Sequence, residues 1–267
     1  MERPAWAPPG IDLTRPSVAR MYDYYLGGSH NFEVDRAAAR QALEVWPDLP
    51  AIMRANRAFM RRAVRHAVAC GVTQFLDIGS GIPTFGNVHE VARAANPEAR
   101  VAYVDHDPVA VAHSQAIIAG DGRTAVLQAD IRKPAEILQS PEVSGLLDLE
   151  RPVALLLVAV LHFLQDADHP EEIVAHLRDT LAPGSCLIVS HATDEGQYGE
   201  LEEDKDVYKR MGSPLIMRSR HAVERFFDGF SLVDPGVVFL SEWQPDAESE
   251  EAGDPARYSG YAGFGIK

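Results

Sequence analysis

The chain has 267 residues, 46% of them hydrophobic, and a formal net charge of −14, which suits one α/β unit with a sizeable core. That charge opposes nucleic acid and anionic membrane surfaces, so a small molecule is the expected partner. Cys70 and Cys186 stand far apart with no disulfide or zinc spacing, so no metal site is expected. Neither Met1 to Gly10 nor the longest apolar run, Val153 to Leu161, reads as a signal peptide or a membrane span, and a cytoplasmic protein is expected.

Residues 1–16 are proline-rich and are expected to be extended. A helical pattern over 17–46 is broken at Gly27-Gly28-Ser29, and helical spacing puts Val18, Tyr22 and Tyr25 on one face. That face is either a packed aromatic stripe or part of a lid. A second helix over 51–69 carries Met53, Met60, Val64 and Ala67 on one side, and Arg54, Arg57, Arg61 and Arg65 on a face expected to be solvated.

Residues 74–86 then organise the rest. Phe75, Leu76 and Ile78 read as a buried strand that runs through Asp77 into a turn with Gly79 and Gly81. Glycine permits positive φ and a close ligand approach at such a turn. Thr84 stands where a dinucleotide fingerprint needs its third glycine, and the acid would repel a pyrophosphate. Asp77 would instead accept from an amino acid ammonium group. A nucleoside joined to an amino acid without phosphates describes S-adenosylmethionine.

Strand and helix alternate from there, the pattern of a parallel sheet with crossovers. The expected order is a helix over 88–95, a strand over 101–104 ending at Asp105-His106-Asp107, and a helix opened by Pro108 and capped by Asp107. A strand over 125–129 ends at Asp130, and an apolar strand covers 153–160. A helix begins near Pro170, and a fifth strand covers 186–190. Residues 194–206 are polar, Ser219 to Phe227 is helical, and strands are expected over 231–240 and 258–266 around a loop with Asp246, Glu248, Glu250, Glu251 and Asp254.

Asp77, Asp105 and Asp130 each close one of the first three strands, where an open parallel sheet binds its ligand. Asp105 can accept from both ribose hydroxyls, and Asp130 from the adenine amino group with Ile131 against the ring. With Leu76-Asp-Ile-Gly-Ser-Gly81, Tyr103-Val-Asp105, Gln128-Ala-Asp130, Ala159-Val-Leu-His-Phe163 and Leu181-Ala-Pro-Gly-Ser185, residues 72–266 resemble the Rossmann-like S-adenosylmethionine methyltransferases. Residues 19–28 with Asn31-Phe32 further resemble the opening of an actinobacterial methyltransferase family of largely unassigned substrates.

The resemblance implies an α/β fold, a doubly wound, mostly parallel seven-stranded sheet whose last strand inserts antiparallel. An N-terminal helical lid over 1–70 would precede a cofactor-binding catalytic domain over 71–267. The expected cofactor set is Asp77, Gly79, Gly81, Asp105, His106, Asp130, Ile131 and Val158, with Tyr22 against the sulfonium. His162 and His191, expected just past the fourth and fifth strands, are the candidate general bases, and packing within the fold is the competing reading of each.

Ser185 replaces a second glycine common in that turn. The fourth strand lacks an Asn-Pro-Pro-Tyr or Asp-Pro-Pro-Tyr sequence, which argues against a nucleobase or a glutamine side chain as acceptor. O-, N- or C-methylation of a small molecule is the expected activity. A non-catalytic S-adenosylmethionine sensor and a nicotinamide enzyme are the alternatives.

Overall fold

The computed structural model describes residues 11–83, 86–196, 214–246 and 254–267. Thr84, Glu248, Glu250, Glu251 and most of the polar stretch after 194 lie outside the described residues. Strands β1 (Gln74–Ile78), β2 (Arg100–Asp105), β3 (Thr124–Gln128), β4 (Ala154–Val158), β5 (Cys186–Ala192), β6 (Ser231–Leu232), β7 (Val238–Phe239) and β8 (Gly260–Ile266) form one sheet. Its order is β3-β2-β1-β4-β5-β8-β6, with β7 also paired to β8. β1 to β5 run parallel and β8 antiparallel beside β5, so β1 sits at the point where the strand order reverses.

The edge strand expected over 231–240 is two short pieces. Five residues, 233–237, span the edge where β8 uses only Gly263 and Phe264, so the chain bulges between β6 and β7. Seven positions are therefore filled by eight strands.

The helices are α1 (Val18–Tyr25), α2 (Glu33–Val45), α3 (Leu49–Ala69), α4 (Val88–Ala95), α5 (Pro108–Ile117), α6 (Pro134–Gln139), α7 (Pro141–Ser144), α8 (Pro170–Thr180) and α9 (Arg220–Glu224). Alternation along the strands divides the core. Phe75, Val101, Tyr103, Leu156 and Ile188 join the cluster built around α3. Leu76, Ile78, Val104, Leu157 and Val189 join the one around α8. Asp77, two residues beyond Phe75, is thereby carried to the α3 face.

The helices before residue 70 do not form a core of their own: Met21, Tyr25, Phe59, Met60 and Ala63 share one cluster with Phe75, Val101 and Ile188. A boundary between 70 and 71 therefore cuts through packed residues. A buried ionic cluster adds to the attachment. Arg20 Nε lies 3.2 Å from Asp35 Oδ1 and 3.9 Å from Asp107 Oδ2, and Asp107 also caps α5 by accepting from Val109 N–H at 2.7 Å. Ser17 donates to both carboxylates, through its N–H to Asp35 and its hydroxyl to Asp107. Burial holds Asp35 above the usual carboxylate range even so.

The Gly27-Gly28 break is closed by Asp23, whose Oδ2 accepts from His30 N–H at 2.9 Å and Asn31 Nδ2 at 2.8 Å. The expected arginine face of α3 is also only partly solvated. Arg54 and Arg65 are exposed, whereas Arg57 and Arg61 are half-buried. Neighbouring Arg62 is buried, donating to the Trp243 and Leu240 carbonyls. The cause is that α3 packs against the sheet and α4 along its length.

Candidate functional site

The turn after β1 is fixed from both sides. Gly79 and Ser80 N–H donate to the Val104 carbonyl at 2.8 and 3.2 Å, tying the turn to β2. Gly79 has φ 78° and Gly81 φ 68°. A Cβ on Gly79 would fall 2.5 Å from Val160 Cγ2, so close packing as well as backbone angle requires glycine there.

Asp105 closes the other side. Its Oδ2 accepts from Gly81 N–H at 2.7 Å and its Oδ1 from Asp107 N–H at 2.8 Å, each oxygen keeping a further lone pair. Burial raises its pKa. Asp77 differs in having no hydrogen-bond partner among the described residues, although it is 8% exposed. Burial pushes its carboxyl up to about 7, opposed by Arg57 and reinforced by Asp105.

These groups line one cavity with Val158, Ala159, His162, His191 and the cavity-facing sides of α1 and α3. His106 lies at its edge and is largely exposed. Ala159, just past β4, has φ 56° and donates its N–H to Ser190 O and Oγ at 3.1 and 3.0 Å. A non-glycine residue in that region stores strain, and such residues gather at functional sites.

The two histidines have different surroundings. His191 lies within β5, contrary to its expected place beyond the strand. Its Nδ1 meets the Ala192 carbonyl at 2.6 Å and its Nε2 meets Arg218 Nη1 at 3.0 Å. A proton on Nδ1 satisfies both contacts and leaves no lone pair to act as a base. Burial, with Arg218 nearby, lowers its pKa to about 3. His162 Nδ1 accepts from Ala192 N–H at 3.2 Å, placing its proton on Nε2. Burial, with His191 and Arg218, holds it well below the ordinary imidazole value. Both rings are therefore neutral near pH 7, one filled and the other a donor.

Arg218 went unread in the sequence. It donates to the Leu161 and Leu164 carbonyls and to Asp166 at 3.3, 3.1 and 2.8 Å. Asn56 and Ser190 were missed likewise. Asn56 Nδ2 donates to the Tyr22 hydroxyl at 2.9 Å, and Tyr22 donates to the Met53 carbonyl at 3.2 Å. Burial raises the Tyr22 pKa.

Asp130 and Ile131 lie outside the residues lining this cavity. Asp130 is gripped by Arg132, with Nη2 at 2.6 Å and Nε at 2.9 Å from Oδ2, a local pairing two residues along the chain. Ile131 packs into the α8-side core. Asp130 still feels the charge of His106, so the end of β3 adjoins the cavity mouth.

The remaining wall is apolar, with Trp46, Leu49, Ile52, Met60 and Leu240. Among the described residues, no group of three His, Cys, Asp or Glu side chains could hold a metal ion, and no helix is long and apolar enough to cross a membrane.

The sequence profile of one family, described as S-adenosyl methyltransferase, matches residues 4–267. The chain belongs to the S-adenosyl methyltransferase family. Two crystal structures are similar throughout. A DUF574 family protein from Streptomyces avermitilis is 41% identical with a TM-score of 0.92, over 96% of this chain and 99% of that one. A candidate methyltransferase from Thermobifida fusca is 41% identical with a TM-score of 0.92, over 99% of both chains. No curated protein matches.

As a member of this family the protein is a methyltransferase whose cofactor is S-adenosylmethionine. The residues present fit that cofactor. Asp77, an acid at the cavity without a hydrogen-bond partner among the described residues, suits an ammonium group, the glycine turn leaves room beside it, and Asp105 retains lone pairs for a diol.

Proposed function

We propose that this S-adenosyl methyltransferase methylates a small, largely apolar molecule held between α1, α3 and the carboxyl edge of the sheet. The observation that carries this reading is the cavity itself. It brings the charged side chains of Asp77, Asp105 and Arg57 together with the apolar side chains of Trp46, Leu49, Ile52, Met60 and Leu240 around one space. Its charged groups suit the cofactor and its apolar side chains suit the acceptor. The net charge of −14 supports an acceptor other than nucleic acid. The free thiols of Cys70 and Cys186 support a cytoplasmic setting.

S-adenosylmethionine supplies a methyl group already activated on a sulfonium. The chain's part is to bind, orient and exclude water. Asp77 takes the ammonium, Gly79 and Gly81 admit the backbone-close portion, and Asp105 takes the ribose hydroxyls. His106 and Val158 flank the nucleoside, with Asp130 and Ile131 beyond the mouth toward adenine. Tyr22 lines the same cavity from α1, its hydroxyl tied back to α3, and the face of its ring would meet the positive centre.

His162 donates from Nε2 to an acceptor oxygen or nitrogen and orients it. His191 serves as scaffold, its ring held by Arg218. The test is transfer of isotope from methyl-labelled S-adenosylmethionine into the low-molecular-mass fraction of a cell extract. Label recovered there, with S-adenosylhomocysteine formed in equal amount, supports the reading. Label confined to protein or nucleic acid overturns it, and tight cofactor binding without any turnover favours a sensor.

A further inference from the structure

We propose that Arg57 completes a clamp for an amino acid head group, its guanidinium taking the ligand's carboxylate while Asp77 takes the ammonium. The site then selects S-adenosylmethionine and its demethylated product over relatives that lack the carboxylate. This rests on the cofactor reading above and adds a residue to it.

Arg57 and Asp77 line the same cavity, and both also border a smaller recess behind the glycine turn with Ser80, Gly81, Asn87 and His89. Their charges are opposite and they feel one another. Yet they form no ion pair within 4.0 Å. A cation present merely to neutralise Asp77 would close on it. Two opposite charges held apart across a shared space match a zwitterion, with its ammonium and carboxylate two bonds apart through one carbon.

The donors of Arg57 are also underused. Its Nη2 makes long contacts of 3.3 Å to the Gly86 carbonyl and 3.4 Å to Asn87 Oδ1. Its Nε is buried and has no hydrogen-bond partner among the described residues. A guanidinium carries five donors in a rigid fork suited to a carboxylate, and leaving buried donors unmade is costly.

Position separates Arg57 from the exposed arginines of its helix. Arg54 and Arg65 of the same helix are exposed, whereas Arg57 turns inward. Among the described residues lining the cavity, it is the only arginine or lysine. Among the described residues lining the cavity the imidazoles are the other basic groups; His162 and His191 are held neutral by burial, and His106 lies at the edge and is largely exposed.

Calorimetry on the full chain with S-adenosylhomocysteine and its decarboxylated counterpart tests the clamp. The parent protein is expected to prefer the carboxylated ligand by about 10–100-fold, the worth of a charged hydrogen-bonded contact. Arg57→Met should abolish that preference by weakening only the carboxylated ligand, and Arg57→Lys should keep part of it. Asp77→Asn should weaken both ligands and leave their ratio intact. Equal affinities in the parent, or an equal loss of both ligands in Arg57→Met, overturns the clamp while leaving the cofactor reading in place. Binding of neither ligand by the parent overturns both.

Discussion

Ser190 Oγ donates to Asn56 Oδ1 across 2.5 Å, joining β5 to α3 over 134 positions of sequence. Asn56 in turn donates to Tyr22, and Ser190 receives the Ala159 N–H. One amide thus links an N-terminal helix to the ends of two strands at the wall of the cavity. Asn56→Ala removes both links and leaves the Ser190 hydroxyl without its acceptor. We expect a loss of about 1–3 kcal/mol in unfolding free energy and weaker cofactor binding, read by denaturant melts and calorimetry. Asn56→Asp, which keeps the acceptor for Ser190, should retain more of the stability. An unchanged melt in Asn56→Ala would show that the link carries no energy.

Cofactor affinity should depend on pH through Asp77. Its carboxyl is raised to about 7, and only the ionised form pairs with an ammonium group. Affinity should therefore climb as pH rises through about 7, then fall once the ligand's own amino group titrates near about 7.7–8.0. Binding should release a proton below pH 7. Calorimetry in buffers of different ionisation enthalpy measures this directly. Asp77→Asn should weaken binding by about 1.5–3 kcal/mol at pH 7.5 and lose the rising limb. A rising limb that persists in that variant would assign the titration to another group.

The two glycines of the turn should fail in different ways. Gly79→Ala meets both positive φ and the Val160 side chain at 2.5 Å. Gly81→Ala meets positive φ with nothing within 4 Å, so its cost to the unliganded fold should be about 1–2 kcal/mol. We expect Gly79→Ala to melt measurably lower than Gly81→Ala, with both binding cofactor poorly. Equal melting temperatures would mean that Val160 gives way freely.

The histidines should not appear as a base in the pH–rate profile. Because burial keeps His191 neutral down to about 3, no limb of kcat near pH 6.5 should belong to it. Stability should carry its signature instead. Below about 6.5 the unfolded chain takes up protons that the folded chain refuses, so His191 lowers stability as pH falls, by up to about 1.4 kcal/mol per unit. Asp77 acts in the opposite direction, since the folded state keeps its proton up to about 7 and stability declines as pH rises from about 4. Thermal melts of His191→Asn should fall less steeply between about pH 6.5 and about pH 5 than those of the parent. Parallel slopes would contradict the buried neutral ring.

Asp105→Ala and Asp130→Ala should rank in that order. Asp105 holds the Gly81 and Asp107 amides and faces the cavity, so its loss should weaken cofactor binding by about 1–3 kcal/mol. Asp130 is already engaged by Arg132, and reaching adenine would require sharing that partner, so its loss should cost less. Calorimetry on the two variants decides the order, and a larger loss at Asp130 would place the adenine contact there in full.

The strand at 74–78 and its glycine turn were legible because everything that makes them is local. Period-two apolar residues, an acid at the strand end and glycines at positive φ act within a few positions. The same holds for Asp107 capping α5 ahead of Pro108, and for the alternation of strand and helix that marked a parallel sheet. The fate of individual polar groups was not local. His191 is spent as a base by Arg218, 27 positions away, and Arg57 shares a cavity with the β1 acid only because α3 packs across the strands. The solvated arginine face failed for that reason: helical periodicity assigns residues to faces, but burial of the facing surface decides which face meets water. The edge strand divided because five residues had to fit where its neighbour needed two, a mismatch that exists only once two strands are paired. Sequence spacing thus determined which elements form and where the cofactor turn lies, whereas the pairing of charges and hydrogen bonds across 20 to 200 positions was decided by packing, because desolvation makes each such partner count only after the chain has folded around it.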